Sequence, residues 1–203
     1  MTDFFDSIIY EPVRLYPQEQ KYIEENVLGT YFPWFFIENQ TFDNNFDVIP
    51  TDVKQFVSYT NSSYLSHVLL ARSDLENVTI SERPAKDFSR HYEFFIEIFH
   101  RFMQDNKQPY SKIFRANLNL SWCNGKNHTE PHFDHHWPHK NFIMYLNDCD
   151  PGHGQTIIWQ KDFLTSYIIP CKKYHAVMFN SELHGHRFPS KGNRRVVFVV
   201  TFR

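Results

Sequence analysis

The chain has 203 residues, 41% of them hydrophobic, with no apolar run near the ~18 residues of a membrane span, so one domain over 1–203 is expected and a spanning helix is not. A formal charge of −2, with 12 histidines, argues against the basic footprint of a nucleic-acid binder. Three cysteines (Cys123, Cys149, Cys171) without a C-x-x-C pair fit neither a disulfide framework nor a thiolate zinc site, and the opening Met1-Thr-Asp-Phe-Phe-Asp has no apolar run after a basic cluster; a cytoplasmic setting is expected.

Residues 1–110 read as mainly helical. Pro17 to Leu28 opens with Pro-Gln-Glu-Gln and stops at Gly29, giving start and stop signals in the right order. Ser89 to Gln104 places Tyr92, Phe95, Ile96, Ile98, Phe99 and Phe102 on one broad apolar face. From residue 111 onward short strands alternate with turns: Ile113 to Trp122, Asn141 to Asn147, Gln155 to Trp159, Tyr167 to Ile169, His175 to Asn180 and Arg194 to Phe202. The expectation is an α+β domain in which helices of the first half buttress an antiparallel sandwich or barrel in the second. With 21 Phe and 11 Tyr, its core is built largely from rings.

The chemistry concentrates in the second half. Pro131-His132-Phe133-Asp134 sets an imidazole and a carboxylate two residues apart, on one side of extended backbone. His184 follows the apolar strand His175 to Asn180 and offers a third ligand. Two histidines and one carboxylate that leave other positions open suit non-haem Fe(II). Arg195, at the entry of a Val-rich strand, needs an anionic partner if buried. Tyr145, in the strand after the motif, can direct its hydroxyl to the same anion, and a dicarboxylate satisfies both ends of such a pocket. His184 competes with His186 and Arg195 with Arg194, since strand alternation lets only one arginine face the interior. Asn117 and Asn119 alternate in the strand before the motif, from which polar side chains can reach a barrel interior; Asn117 is a candidate cofactor contact.

Taken in order, His132-Phe-Asp134, Trp137-Pro-His-Lys140, Tyr145-Leu-Asn147, Gln155-Thr-Ile-Ile, the Pro170 to Asn180 run, and His184 with Pro189 and Arg194-Arg195-Val resemble a 2-oxoglutarate/Fe(II) oxygenase of the prolyl-hydroxylase-like kind, particularly the small forms of marine phages and bacteria. The resemblance spans roughly residues 110 to 203. It implies a double-stranded β-helix, or jelly roll, with iron on His132, Asp134 and His184, the distal carboxylate of 2-oxoglutarate on Arg195, and Tyr145 as its hydroxyl partner. It also implies dioxygen as co-substrate, release of succinate and CO2, hydroxylation of a peptidyl, possibly prolyl, or small-molecule C–H bond, and a host-cytoplasmic location if the chain is viral. The spacing of His184 to Pro189 and Arg195 favours His184 over His186.

Two other readings use the same residues. A non-catalytic metal-binding barrel has no need of both metal and cofactor anchors, and a zinc hydrolase requires a general base near the metal and leaves Arg195 and Tyr145 unexplained. Of the histidines flanking the motif (His135, His136, His139), His139 is expected to support a ligand. His128 and His153 are expected on the surface, and Cys149 and Cys171 as inert thiols.

Overall fold

The computed structural model describes residues 7–37, 63–71, 89–135, 137–160 and 165–203. In chain order these form β1 (Ile9–Pro12), helix α1 (Pro17–Tyr22) with a π-helical turn (Ile23–Val27), β2 (Phe35–Ile37), β3 (Tyr64–Leu70) and helix α2 (Tyr92–Asp105). There follow β4 (Ile113–Trp122), β5 (Lys140–Tyr145), β6 (Thr156–Trp159), β7 (Ser166–Ile169), β8 (His175–Asn180), β9 (His184–His186) and β10 (Arg194–Phe202).

Two antiparallel sheets face each other. The larger runs β1-β8-β5-β10-β4-β3-β2 and the smaller β7-β6-β9, the double-stranded β-helix expected from the sequence. The Val/Phe-rich β10 lies between β4 and β5 and has no free edge. Alternation therefore decides its chemistry: Val196, Phe198, Val200 and Phe202 point to one side, Arg195, Val197, Val199 and Thr201 to the other, and all eight are buried.

The first side meets α2. Its expected apolar face is buried, with Phe95 against Phe198 (5.0 Å between ring centroids) and Phe99 against Phe142 (5.3 Å) and Phe202 (5.1 Å). Edge-to-face and tilted ring contacts of this kind add to the burial term that holds helix to sheet. Helix α1 begins at Pro17 and is closed by Glu19, which accepts from the Tyr16 backbone N–H (2.8 Å). The same carboxylate grips Arg101 of α2 through two bonds, 2.8 and 2.7 Å, so the two helices are tied by a fork-to-fork pair.

The described residues of the first half contribute strands as well as helices. Strands β1, β2 and β3 add to both edges of the large sheet. β3 escapes periodicity because Leu69 and Leu70 are both fully or nearly buried while His67, next to exposed Val68, is also buried, so no clean alternation marks it. The helix from Pro17 is also shorter than expected as a regular α-helix, its second half being the wider turn of Ile23–Val27. Among the described residues no helix is long and apolar enough to cross a membrane.

Candidate metal and anion site

The second side of β10 faces the small sheet across a pocket. His132 and His184 are joined by paired backbone bonds: His132 N–H donates to His184 O (2.9 Å) and His184 N–H to His132 O (3.0 Å). This pairing brings the two imidazoles together, tilted by 48° with centroids 4.6 Å apart, although the residues are far apart in sequence. Asp134, two residues along the extended motif, comes to the same point. One ligand atom from each of His132, Asp134 and His184 lies within 4.8 Å of the others, and all three residues are buried.

The orientation of the rings matters as much as their proximity. His132 Nδ1 donates to the Glu130 carbonyl (3.1 Å) and His184 Nδ1 to the Glu182 carbonyl (3.0 Å). A carbonyl can only accept, so Nδ1 of each ring carries a proton, and the neutral form of either ring has its lone pair on Nε2. His184 Nε2 then lies 3.4 Å from Asp134 Oδ2. Nε2 of His184, the His132 ring and the Asp134 carboxylate converge in a buried space, an arrangement that a divalent cation satisfies.

The electrostatics agree. Burial lowers the His132 imidazole to about 4, helped by neighbouring His184. Burial opposes ionisation of Asp134, yet the Arg115 guanidinium and the two imidazoles overcome it and hold the carboxyl well below its usual range. At neutral pH the cluster thus offers a neutral His132 ring and a carboxylate, protonation states that a metal requires of its ligands. Arg115 Nη2 donates to Asp134 Oδ1 at 2.7 Å.

Arg195 lies across the pocket, 4% exposed, and alternation turns Arg194 outward to solvent and the Leu28 carbonyl. Arg195 Nε donates to Gly154 O (2.8 Å) and Nη2 to Thr156 Oγ1 (3.0 Å). No carboxylate pairs with it among the described residues. Gly154 is the residue this contact needs. Its φ is +65°, and a Cβ there would collide with the Cys149 sulfur.

Tyr145 stands differently from the expectation. Its hydroxyl, kept protonated by burial, donates to Thr156 Oγ1 at 2.7 Å and not into the pocket, while its ring lies 5.4 Å from the Arg195 guanidinium. Thr156 accepts from both Tyr145 and Arg195, so its own proton is available to a ligand, and Thr156 lines the pocket. Asn117 is buried on the inner face of β4, with Oδ1 unpartnered among the described residues, but the pocket wall on that strand comes from Arg115, Asn119 and Ser121.

His186 does not join the cluster. Its Nε2 bonds Ser121 Oγ at 3.0 Å, and burial, with Arg195 beside it, keeps the ring far below its usual titration range and hence neutral. Gly185 lets the His-Gly-His strand run close to Thr129, since a Cβ would lie 2.9 Å from its hydroxyl oxygen. His139 is buried and donates to the Trp137 carbonyl (2.8 Å), and its Nε2 has no partner among the described residues. His128 and His153 are exposed, as expected, and His136 lies outside the described residues. Cys149 and Cys171 pack together, Cys149 N–H donating to the Cys171 carbonyl at 3.4 Å.

Sequence reasoning missed Arg115, Thr156 and Ser121. The only available signal was their position, alternating in strands that flank the motif, and it does not distinguish a wall residue from a packed one.

No family model and no curated protein matches the chain. Solved structures do. A 2OG-Fe(II) oxygenase family oxidoreductase from Burkholderia pseudomallei matches at TM-score 0.64 and 12% identity, over 97% of this chain and 85% of that one. OsALKBH1 matches at TM-score 0.57 and 11% identity over 97% of each chain. AviO1 from Streptomyces viridochromogenes Tue57 matches at TM-score 0.55 and 11% identity, over 100% of this chain and 95% of that one. At such identities the likeness is one of fold.

Proposed function

We propose that this chain, whose fold is that of the 2OG-Fe(II) oxygenases, is itself an Fe(II)- and 2-oxoglutarate-dependent dioxygenase that hydroxylates a C–H bond of a peptidyl, possibly prolyl, or small-molecule substrate. The observation that carries the reading is the pairing of two unmet needs in one pocket: a buried lone-pair cluster at one end and, at the other, a buried guanidinium with no carboxylate among the described residues. A metal-chelating dicarboxylate answers both.

His132, Asp134 and His184 hold the metal. Arg195 and the Thr156 hydroxyl take the distal carboxylate, with Tyr145 acting through Thr156 by fixing which way its proton points. Iron and 2-oxoglutarate, when bound, supply the oxidative decarboxylation that yields succinate and CO2 and delivers an oxygen atom to the substrate. The protein's part is orientation and exclusion of water: Ile143, Val197 and Val199 line the pocket between its two polar ends and keep bulk solvent from the reacting groups. Neutral His186, bonded to Ser121, places a dipole beside Arg195 without adding a charge that would compete for the anion.

A zinc hydrolase on the same ligands requires a second acid-base group at the metal. Among the described residues lining the pocket Asp134 is the only carboxylate, and it is engaged by Arg115. Anaerobic addition of 2-oxoglutarate to the Fe(II)-loaded chain tests the proposal. A visible metal-to-ligand charge-transfer band is expected, and its absence at saturating 2-oxoglutarate contradicts the reading.

A further inference from the structure

Arg115 is absorbed by none of the roles above, yet it touches a member of the metal cluster. Three arginine–carboxylate pairs among the described residues can be compared. Arg14 meets Asp105 with two nitrogens on two oxygens (Nε to Oδ2 3.1 Å, Nη2 to Oδ1 2.8 Å), and Arg101 meets Glu19 in the same way (Nη1 to Oε2 2.8 Å, Nη2 to Oε1 2.7 Å). These two forks satisfy both carboxylate oxygens, the geometry that makes such pairs strong.

Arg115 departs from that pattern where burial makes the departure costly. It gives one bond, Nη2 to Asp134 Oδ1 at 2.7 Å, while its Nε is buried without a partner among the described residues. Asp134 Oδ2 is left to face His184 Nε2 at 3.4 Å. A buried ion pair selected for stability has every reason to close the fork, because an unmade bond to a buried N–H is expensive. The register fixes the strand position from which it reaches: Arg115 is opposite Thr201 on the central strand β10.

We infer that Arg115 is a positioning residue that occupies one oxygen of Asp134 so that only the other is presented to the metal. The inference rests on the oxygenase reading for its purpose. Two imidazoles and one carboxylate oxygen leave about three of six positions open; a chelating 2-oxoglutarate needs two of them and dioxygen one. A carboxylate that turned both oxygens to the metal would remove a position that the reaction requires.

The test uses the full chain loaded with Mn(II), a metal that favours octahedral coordination, and counts bound water by water-proton relaxation. Arg115→Met releases Asp134 Oδ1, and the relaxation enhancement per bound Mn(II) is expected to fall by about a third, as two waters replace three. Affinity of the Mn(II)-loaded variant for 2-oxoglutarate is expected to fall about 10- to 100-fold, the range for partners standing behind a metal ligand. Arg115→Lys, which keeps a cationic donor, is expected to restore both. Should Arg115→Met not fold by circular dichroism, Arg115→Gln, which is shorter, stays polar and loses the charge, is expected to give the same fall.

Equal enhancement and equal 2-oxoglutarate affinity in wild type and in the folded neutral variant overturn the inference. A wild-type protein that binds Mn(II) but loses no water to 2-oxoglutarate overturns the oxygenase reading, while the water comparison between wild type and variant still decides the role of Arg115. Wild-type protein that binds no Mn(II) overturns both.

Discussion

The two faces of β10 show how one strand serves two incompatible demands. Its outer residues, Val196, Phe198, Val200 and Phe202, enter an aromatic core against α2, where every group is apolar and the packing is ring on ring. Its inner residues begin with Arg195 and end with Thr201, and the neighbouring strands add Arg115, Asn117, Asn119, Ser121 and Asn141 on the same face. Several polar atoms of that inner face, among them Arg115 Nε, Asn117 Oδ1 and both amide atoms of Asn141, have no partner among the described residues. Stability is gathered on one side of the sheet so that the other can carry polar groups poorly satisfied by the protein alone. Substitutions on the two faces should therefore separate stability from binding.

The largest separation is expected from Phe198→Ala. It opens a cavity among Phe95, Phe142 and the core and should cost about 3–5 kcal/mol, read as a lower denaturant midpoint, while the fraction that remains folded binds 2-oxoglutarate as the wild type does. Loss of affinity in the folded fraction contradicts a division of labour between the faces. On the inner face, Arg195→Ala should spare metal binding but weaken 2-oxoglutarate by about 1.5–3 kcal/mol, the value of a hydrogen bond to a charged group. Arg194→Ala, exposed one position earlier, should leave calorimetric affinity within about twofold, as surface changes usually do.

Acid should act through the inner face. His132 titrates at about 4 in the folded chain against about 6.5 when unfolded. The folded-state value is the lower one, so the unfolded chain binds more protons between these limits and stability falls as pH drops through them. From pH 7 to pH 5 the metal-free protein should lose on the order of 2 kcal/mol from His132 alone, and neutral His186 works in the same direction. A denaturant midpoint unchanged between the two pH values would show that these rings are not held neutral by burial.

The smallest effect separates two hydroxyls. Thr156→Val removes both the donor that faces the ligand and the acceptor that Arg195 bonds, and Tyr145→Phe removes only the bond that orients it. Each is expected to cost about 0.5–1.5 kcal/mol of 2-oxoglutarate affinity, Thr156→Val the more. The opposite order, measured calorimetrically, returns the ligand contact to Tyr145.

Much of this was legible in the sequence, for reasons that can be stated residue by residue. His132-Phe-Asp134 needs only extended backbone to converge, and alternation tells that one of Arg194 and Arg195, not both, faces the interior. The strands from Ile113 onward are bounded by turn residues, and α2 announces itself by period. The rest depends on partners distant in the chain. Nothing local tells that β3 lies beside β4, that Arg115 meets Asp134, or that the Tyr145 hydroxyl is spent on Thr156; each follows from register across a sheet. Spacing to Pro189 and Arg195 points to His184, but that His184 pairs with His132 while His186 bonds Ser121 is set by contacts across the fold.

The central claim is that the cluster of His132, Asp134 and His184 drives oxidation at the expense of 2-oxoglutarate. Its most direct test is succinate formed by the Fe(II)-loaded chain given 2-oxoglutarate and oxygen, with Asp134→Ala alongside and metal content measured in both. Succinate from the wild type, even at the slow rate of uncoupled turnover, with none from a folded, iron-depleted Asp134→Ala, is the predicted result. Succinate formed equally by both proteins would contradict the account.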